Sequence, residues 1–144
     1  MYFYGPSGLG KTHLMFAIVN EIRDKHPDFN ILYVTGEEFT TELVEALSNK
    51  KPMIFREKYR NVDVLLVDDI QFIGGKMMIQ EEFFHTFNTL YENNKQIILA
   101  ADSPPKDISG LEDRLKTRFN MGLVADIQPP DLELRIAIFQ RKAI

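Results

Sequence analysis

The stretch "GPSGLGKT", residues 5–12, restricts this chain more than any other feature. Gly5, Gly10, Lys11 and Thr12 satisfy the spacing G-x-x-x-x-G-K-[ST], and the flanks supply the context that this motif requires. Tyr2-Phe3-Tyr4 reads as a strand before it, and Leu14, Ala17, Ile18 and Ile22 recur at helical spacing after it. Gly5, Gly8 and Gly10 let the backbone turn tightly and aim N–H groups at an anion, while the new helix adds its N-terminal dipole and unpaired donors. Lys11 is then expected to reach the β and γ phosphates, and the Thr12 hydroxyl to ligate Mg²⁺. An ordinary glycine turn before a helix would explain the glycines but not the adjoining Lys-Thr. The expected ligand is therefore a nucleoside triphosphate, contacted by Gly5, Pro6, Ser7, Gly8, Leu9, Gly10, Lys11 and Thr12. His13 follows on the helix, within approach of the nucleotide, although a local hydrogen bond is its plainer role.

Such a loop needs a partner on the far side of the metal. The run Val64-Leu65-Leu66-Val67 followed by Asp68 and Asp69 has the form of a Walker B strand. Asp68 is expected to hold Mg²⁺ through water and Asp69 to orient or deprotonate the attacking water. Two acids after a strand, taken alone, would read as a helix cap or a solvated turn. A further apolar strand, "IILAAD", ends in Asp102, where a polar residue in an open α/β sheet faces the ligand crevice and can monitor the γ-phosphate. In "LEDRLKTRF", Arg114 and Arg118 lie four apart and share a helical face. They fit either a solvated face paired with Glu112 and Asp113 or an arginine finger offered to a neighbouring subunit.

The rest of the chain supports one αβα domain. Strand-like runs at 31–34, 62–69, 95–102 and 121–127 are apolar throughout and alternate with helical patterns, which implies a parallel sheet covered on both faces. Thr35 with Glu38 fits a capping box, Pro52 fits a helix start, and Phe83, Phe84, Phe87, Leu90 and Tyr91 fit one apolar stripe. His85, among those phenylalanines, is expected to be a satisfied helical histidine. With no cysteine and three scattered histidines, disulfides, thiolate chemistry and a histidine zinc site are excluded or disfavoured. A net charge of −4 argues against gripping duplex DNA through a broad basic face, while leaving room for a small local groove. No run is long enough to span a membrane and no signal-peptide pattern opens the chain, so a cytoplasmic location is expected.

In their order, "GPSGLGKTHL", "YVTGEEFTTELVEAL", "VDVLLVDDIQFIGGK", "EEFFHTFN" and "LEDRLKTRF" resemble the AAA+ domain of the bacterial chromosomal replication initiators, the DnaA family. The resemblance covers essentially the whole chain. It implies a three-layer P-loop NTPase with a five-stranded parallel sheet, binding ATP and Mg²⁺ and assembling into a helical filament on origin DNA. ATP is implied to act as a switch, with the ATP form assembling and opening the strands and slow hydrolysis turning it off. On matching positions, Asp102 becomes the sensor 1 residue, Arg118 the arginine finger and Arg114 a second arginine at the subunit boundary. Residues from about 39 to 59 resemble the initiator-specific two-helix insertion that lines a single-strand path; Val44 on it, for packing on the strand, and Lys76 in the G-K segment, for phosphate, are candidate DNA contacts.

Three departures accompany the resemblance. Where the family often reads "GKERTQ", this chain reads "GKMMIQ", so Met78 and Ile79 replace two polar groups and weaker single-strand contacts are expected. Asp102-Ser103-Pro104 stands where the family usually has "SDR". Residues 1–144 are also expected to be a truncated nucleotide-binding core, without the lid, the duplex-reading helix-turn-helix and the regions that reach the replicative helicase. The competing readings are an AAA+ helicase loader, a P-loop small-molecule kinase and an inert filament module.

Overall fold

The computed structural model describes residues 1–6 and 10–127. Its strands are β1 (Tyr2–Tyr4), β2 (Ile31–Thr35), β3 (Val64–Asp68), β4 (Gln96–Ala101) and β5 (Val124–Asp126). They form one parallel sheet in the order β2-β3-β4-β1-β5. The helices are α1 (Lys11–Lys25), α2 (Gly36–Ser48), α3 (Pro52–Arg60), α4 (Met77–Glu92) and α5 (Asp113–Phe119). The C-terminal strand ends share one edge, because Thr35 sits opposite Asp68, and Tyr4 sits between Ala101 and Asp126.

The two-residue period of the strands sorts their side chains between two cores. Phe3, Val64, Leu66, Ile98 and Ala100 face α1, which supplies Leu14, Met15, Ile18, Val19 and Ile22. Tyr2, Leu65, Val67, Ile97 and Leu99 face the opposite way, against apolar residues of α2 to α5. The three layers expected from the apolar runs are thus present. Because α1 leaves β1 toward one face while α2 to α5 cover the other, the ligand crevice of an open α/β sheet falls beside the end of β1.

Local signals set the helix starts. The Thr35 hydroxyl accepts from the Glu38 N–H, and the Glu38 carboxylate accepts from the Thr35 N–H, both at 3.0 Å, closing the expected capping box. A cap of this kind contributes about 1 kcal/mol. Pro52 opens α3. Between α2, α3 and α4, Phe39 meets Phe55, Tyr59 and Phe83 edge-on at 5.1–5.4 Å between centroids. Glu82 is buried on α4 and takes Arg56 of α3 at 3.1 Å and Arg60 at 2.5 Å, so one carboxylate fastens the two helices.

Two expectations need correction. Of the proposed stripe on α4, Phe83, Phe87 and Leu90 are buried, but Phe84 is half-buried and Tyr91 is exposed, stacking on Phe87 from outside. The apolar face is narrower than five aromatic and aliphatic residues implied, because α4 turns part of its surface toward α5. His85 is exposed, 4.0 Å from Glu81, since its position on the helix lies opposite the buried residues. No described helix is long and apolar enough to cross a membrane.

Candidate nucleotide site

The chain leaves β1 at Gly5, whose N–H donates to the Ala101 carbonyl at 3.2 Å. Ser7, Gly8 and Leu9 lie outside the described residues. Gly10 has φ 84°, the left-handed conformation that glycine adopts without a Cβ clash and that starts α1 abruptly. This places Lys11 and Thr12 in the first turn of α1, with His13 exposed beside them. Pro6 is exposed at the mouth of the loop.

Lys11 is 6% exposed, and its ammonium donates to the Gly5 carbonyl at 2.6 Å. It forms no ion pair among the described residues. A buried cation without a counter-charge is costly, and a carbonyl dipole offsets only part of that cost. Thr12 donates its hydroxyl to Asp68 Oδ2 at 2.7 Å, joining the first turn of α1 to the end of β3. Asp68 faces α1 because it continues the alternation of Val64 and Leu66. Its carboxylate is 2% exposed and fully engaged, with Tyr33 OH donating to Oδ2 at 2.9 Å and the Asp69 N–H to Oδ1 at 2.9 Å.

Tyr33 was not expected from the sequence. It lies two residues before Thr35, the partner of Asp68 in the ladder, so the pleat brings its ring to the same face as Asp68. That register is the signal that would have found it. Burial first, then the hydrogen bond and charge of Asp68, push its phenol well above the ordinary tyrosine value, so it stays a donor. Asp69 adopts a left-handed backbone, with φ 53°, and exposes its carboxylate, which accepts from the Gln71 amide at 3.4 Å. The Thr12 hydroxyl and the Asp68 carboxylate are hard oxygen donors in direct contact. Mg²⁺ uses such a pair beside water and phosphate oxygens, so this donor set fits that ion.

Asp102 follows Ala101, the partner of Tyr4, and is therefore carried past the strand end beside Gly5. It is exposed and accepts from the Ser103 hydroxyl at 3.1 Å. The turn after β4 is held from below by Tyr2, which donates its hydroxyl to the Ser103 carbonyl at 2.6 Å and stacks on Phe119 at 5.8 Å. Burial, with the Asp102 charge second, pushes the Tyr2 phenol well up.

The structure does not bring Arg114 and Arg118 to this loop. Both lie on α5 against α4, on the other side of the sheet from α1. Arg114 Nε pairs with Glu112 at 2.9 Å, as a solvated face would have it. Arg118 Nε donates instead to Asn88 Oδ1 at 2.9 Å. Val44 is half exposed on α2. Lys76 donates to the Phe72 carbonyl at 2.6 Å and covers the Phe72 ring. Of the two departures, Met78 is 63% exposed, but Ile79 is buried in the core, so only Met78 alters the surface.

The family model for the bacterial DnaA ATPase domain matches residues 1–126. The chromosomal replication initiator protein DnaA of Caldanaerobacter subterraneus subsp. tengcongensis is 59% identical over 143 residues, covering 99% of this chain and 32% of that protein. The chain thus spans about a third of the length of this curated relative. Domain III of the Thermotoga maritima replication initiation protein DnaA superposes with a TM-score of 0.88 at 46% identity, over 96% of this chain and 59% of that one. A replication initiator DnaA bound to AMPPCP and single-stranded DNA gives a TM-score of 0.84 at 43% identity, over 89% and 40% of the two chains. A DnaC helicase loader, at 21% identity and a TM-score of 0.76 over 89% and 77%, shares the fold alone. By the extent of these matches, the chain belongs to the bacterial DnaA ATPase domain family.

Proposed function

We propose that this chain is the nucleotide-binding core of an ATP-dependent, cytoplasmic initiator of chromosomal replication, in which ATP with Mg²⁺ switches assembly on origin DNA. The observation that carries the reading is the juxtaposition at the crevice: a buried Lys11 resting on a backbone carbonyl, beside Thr12 bonded to a buried Asp68. A triphosphate offers Lys11 the anion that the Gly5 carbonyl replaces poorly, at the start of a helix whose dipole favours negative charge. Gly5, Pro6, Gly10, Thr12 and His13 flank this position, and Ser7, Gly8 and Leu9 complete the same motif in sequence.

Bound Mg²⁺ would supply charge neutralisation between the β and γ phosphates. Thr12 and Asp68 would hold it, Tyr33 would fix the Asp68 carboxylate, and exposed Asp69 would orient the attacking water. Asp102 would read the γ-phosphate from the end of β4. Arg118, with Arg114 beside it, would act on the nucleotide of the next copy in a helical filament, which makes turnover slow and dependent on assembly. Val44 and Lys76 would line a single-strand path, with duplex origin reading and the replicative helicase left to other regions of a longer protein. A helicase loader is the second reading. The likeness to DnaC stops at the fold, whereas the likeness to initiators extends through the sequence.

The test is ATP and ADP titration calorimetry with Mg²⁺ on the full-length protein and its Lys11→Ala variant, followed by assembly on single-stranded DNA. Affinity should fall about a hundredfold in Lys11→Ala, as expected when a buried charge contact of about 3 kcal/mol to phosphate is removed. Assembly should require ATP. Assembly equal in ATP, ADP and no nucleotide would overturn the switch.

A further inference from the structure

The segment that continues from Gln80 through "EEFFHTFN" to Asn88 divides its side chains between three neighbours. Phe83 and Phe87 enter the core, and Glu82 takes the arginines of α3. Gln80, Phe84 and Asn88, spaced by four and hence on one face of α4, all meet the segment that carries Arg114 and Arg118.

Gln80 is fully buried, and its amide is used at both ends. Its nitrogen donates to the carbonyls of Ile73 at 3.0 Å and Gly110 at 2.8 Å, and its oxygen accepts from the N–H of Glu112 at 2.9 Å. Glu112 is the residue from which α5 starts. Gly110 has φ +74°, and a Cβ there would come within 2.4 Å of the Gly75 nitrogen, so the two loops are pressed backbone to backbone at this point. Gln80 therefore fixes where α5 begins. One turn on, the Phe84 ring lies under both guanidiniums, at 4.2 Å for Arg114 and 5.1 Å for Arg118. A further turn on, Asn88 accepts from Arg118 Nε.

Both arginines spend only Nε inside the chain. Among the described residues, neither makes a hydrogen bond through its terminal nitrogens. These terminal nitrogens form the planar fork that binds carboxylate or phosphate oxygens in pairs. An arginine whose Nε is pinned and whose plane rests on a ring has lost most of its rotamer freedom before any anion arrives, so less is lost on binding.

We infer that Gln80, Phe84 and Asn88 form a positioning row on α4 that presents the terminal nitrogens of Arg114 and Arg118 to a triphosphate held by a second copy of this chain. The inference rests on the reading above, in which these arginines serve a neighbour. The row also joins that neighbour-facing helix to the loop that follows Asp69, through Ile73 and Gly75.

The test uses the full-length protein and compares Arg118→Ala, Asn88→Ala, Phe84→Leu and Phe84→Tyr. ATP affinity is measured where copies are separate, and ATP turnover is followed as protein concentration rises. Asn88→Ala and Phe84→Leu should each lower the concentration-dependent turnover about tenfold, since small misplacements of such groups cost one to two orders of magnitude. Their ATP affinity should stay within twofold of the parent, and Phe84→Tyr, which keeps the ring, should restore the rate. If Arg118→Ala loses the turnover while Asn88→Ala and Phe84→Leu keep it, the positioning row is overturned and the assembly reading stands. If Arg118→Ala also keeps it, both fall. Parallel loss of ATP affinity, or equal loss in Phe84→Tyr and Phe84→Leu, would reduce the row to a structural support and overturn the inference.

Discussion

On the α1 side of the sheet, Lys11 is buried against the Gly5 carbonyl. On the opposite side, Arg114 and Arg118 lie over the Phe84 ring, their terminal nitrogens without a hydrogen bond among the described residues. The first cation is buried at the start of α1 against the Gly5 carbonyl, so an anion that pairs with it enters the same chain. The second pair is pre-oriented and open to solvent, with Arg114 on the surface and Arg118 at the edge of a separate hollow beside Phe87 and Tyr91. Burial without a counter-charge favours a ligand that supplies one, whereas a stacked and half-exposed guanidinium awaits a surface. On the proposed reading, one chain thus holds one half of each of two sites.

If the halves belong to different copies, they can be separated and recombined, and this carries the largest expected effect. In the full-length protein, Asp69→Asn should bind ATP without hydrolysing it, and Arg118→Ala should bind ATP without stimulating its neighbour. Each alone should lose about a thousandfold or more in assembled turnover, in line with what arginine fingers contribute. Mixed together they should recover a measurable rate, because one copy keeps the crevice and the other keeps the arginine. A mixture as inactive as its components would show that the crevice of one copy and the arginine of another do not meet.

Next in size is a change that should leave the comparison intact. Glu82→Ala leaves Arg56 and Arg60, which solvent still reaches, without their shared carboxylate, and loss of such charge-assisted hydrogen bonds costs about 2 kcal/mol. Urea denaturation should show that loss, while the ATP affinity of the folded protein should scarcely move, since Glu82 joins α3 to α4 away from Lys11. A parallel fall in affinity would show that the two sides of the sheet are coupled.

The crevice was legible in the sequence because its parts are local. A glycine loop, a lysine and a threonine lie within eight positions, and Asp68 closes a strand whose apolar run announces itself. The sheet was legible for the same reason, as were the capping box at Thr35 and the start of α3 at Pro52. Tyr33 and Gln80 were not, since each owes its role to a partner 30 or more residues away. For Tyr33 the strand register would have sufficed. For Gln80 nothing short of the packing of two loops would do, because a glutamine at the start of a helix reads as solvent-facing. Phe84 and Tyr91 were misread in the other direction, as helical spacing marks a stripe but not its width.

Tyr33 gives a smaller test of the enclosed half. Tyr33→Phe removes one of the donors to Asp68 without altering the ring that packs beside Phe16 at 5.0 Å. Loss of a hydrogen bond of this kind costs about 1 kcal/mol, so the Mg²⁺ concentration that supports ATP binding should rise roughly fivefold. Binding in the absence of Mg²⁺ should be unchanged. A shift of equal size with and without the ion would mean that Tyr33 supports the loop as a whole and not the Asp68 carboxylate.

The smallest effect concerns whether the open side carries more anion-ready surface than its two arginines. Met78 stands exposed in the first turn of α4, near Lys76, whose ammonium gives one of its three donors to the Phe72 carbonyl. An uncharged thioether there offers a nucleic acid contact area but no counterion release. In Met78→Arg, affinity of the full-length protein for oligothymidine in ATP should rise roughly three- to fivefold at moderate salt, and log affinity against log salt should steepen by about 0.7 for one added phosphate contact. Fluorescence anisotropy across a salt series reads both. An affinity gain without a steeper slope would mean that the arginine packs on bases and adds no phosphate contact. No gain at all would place position 78 off the path of the strand.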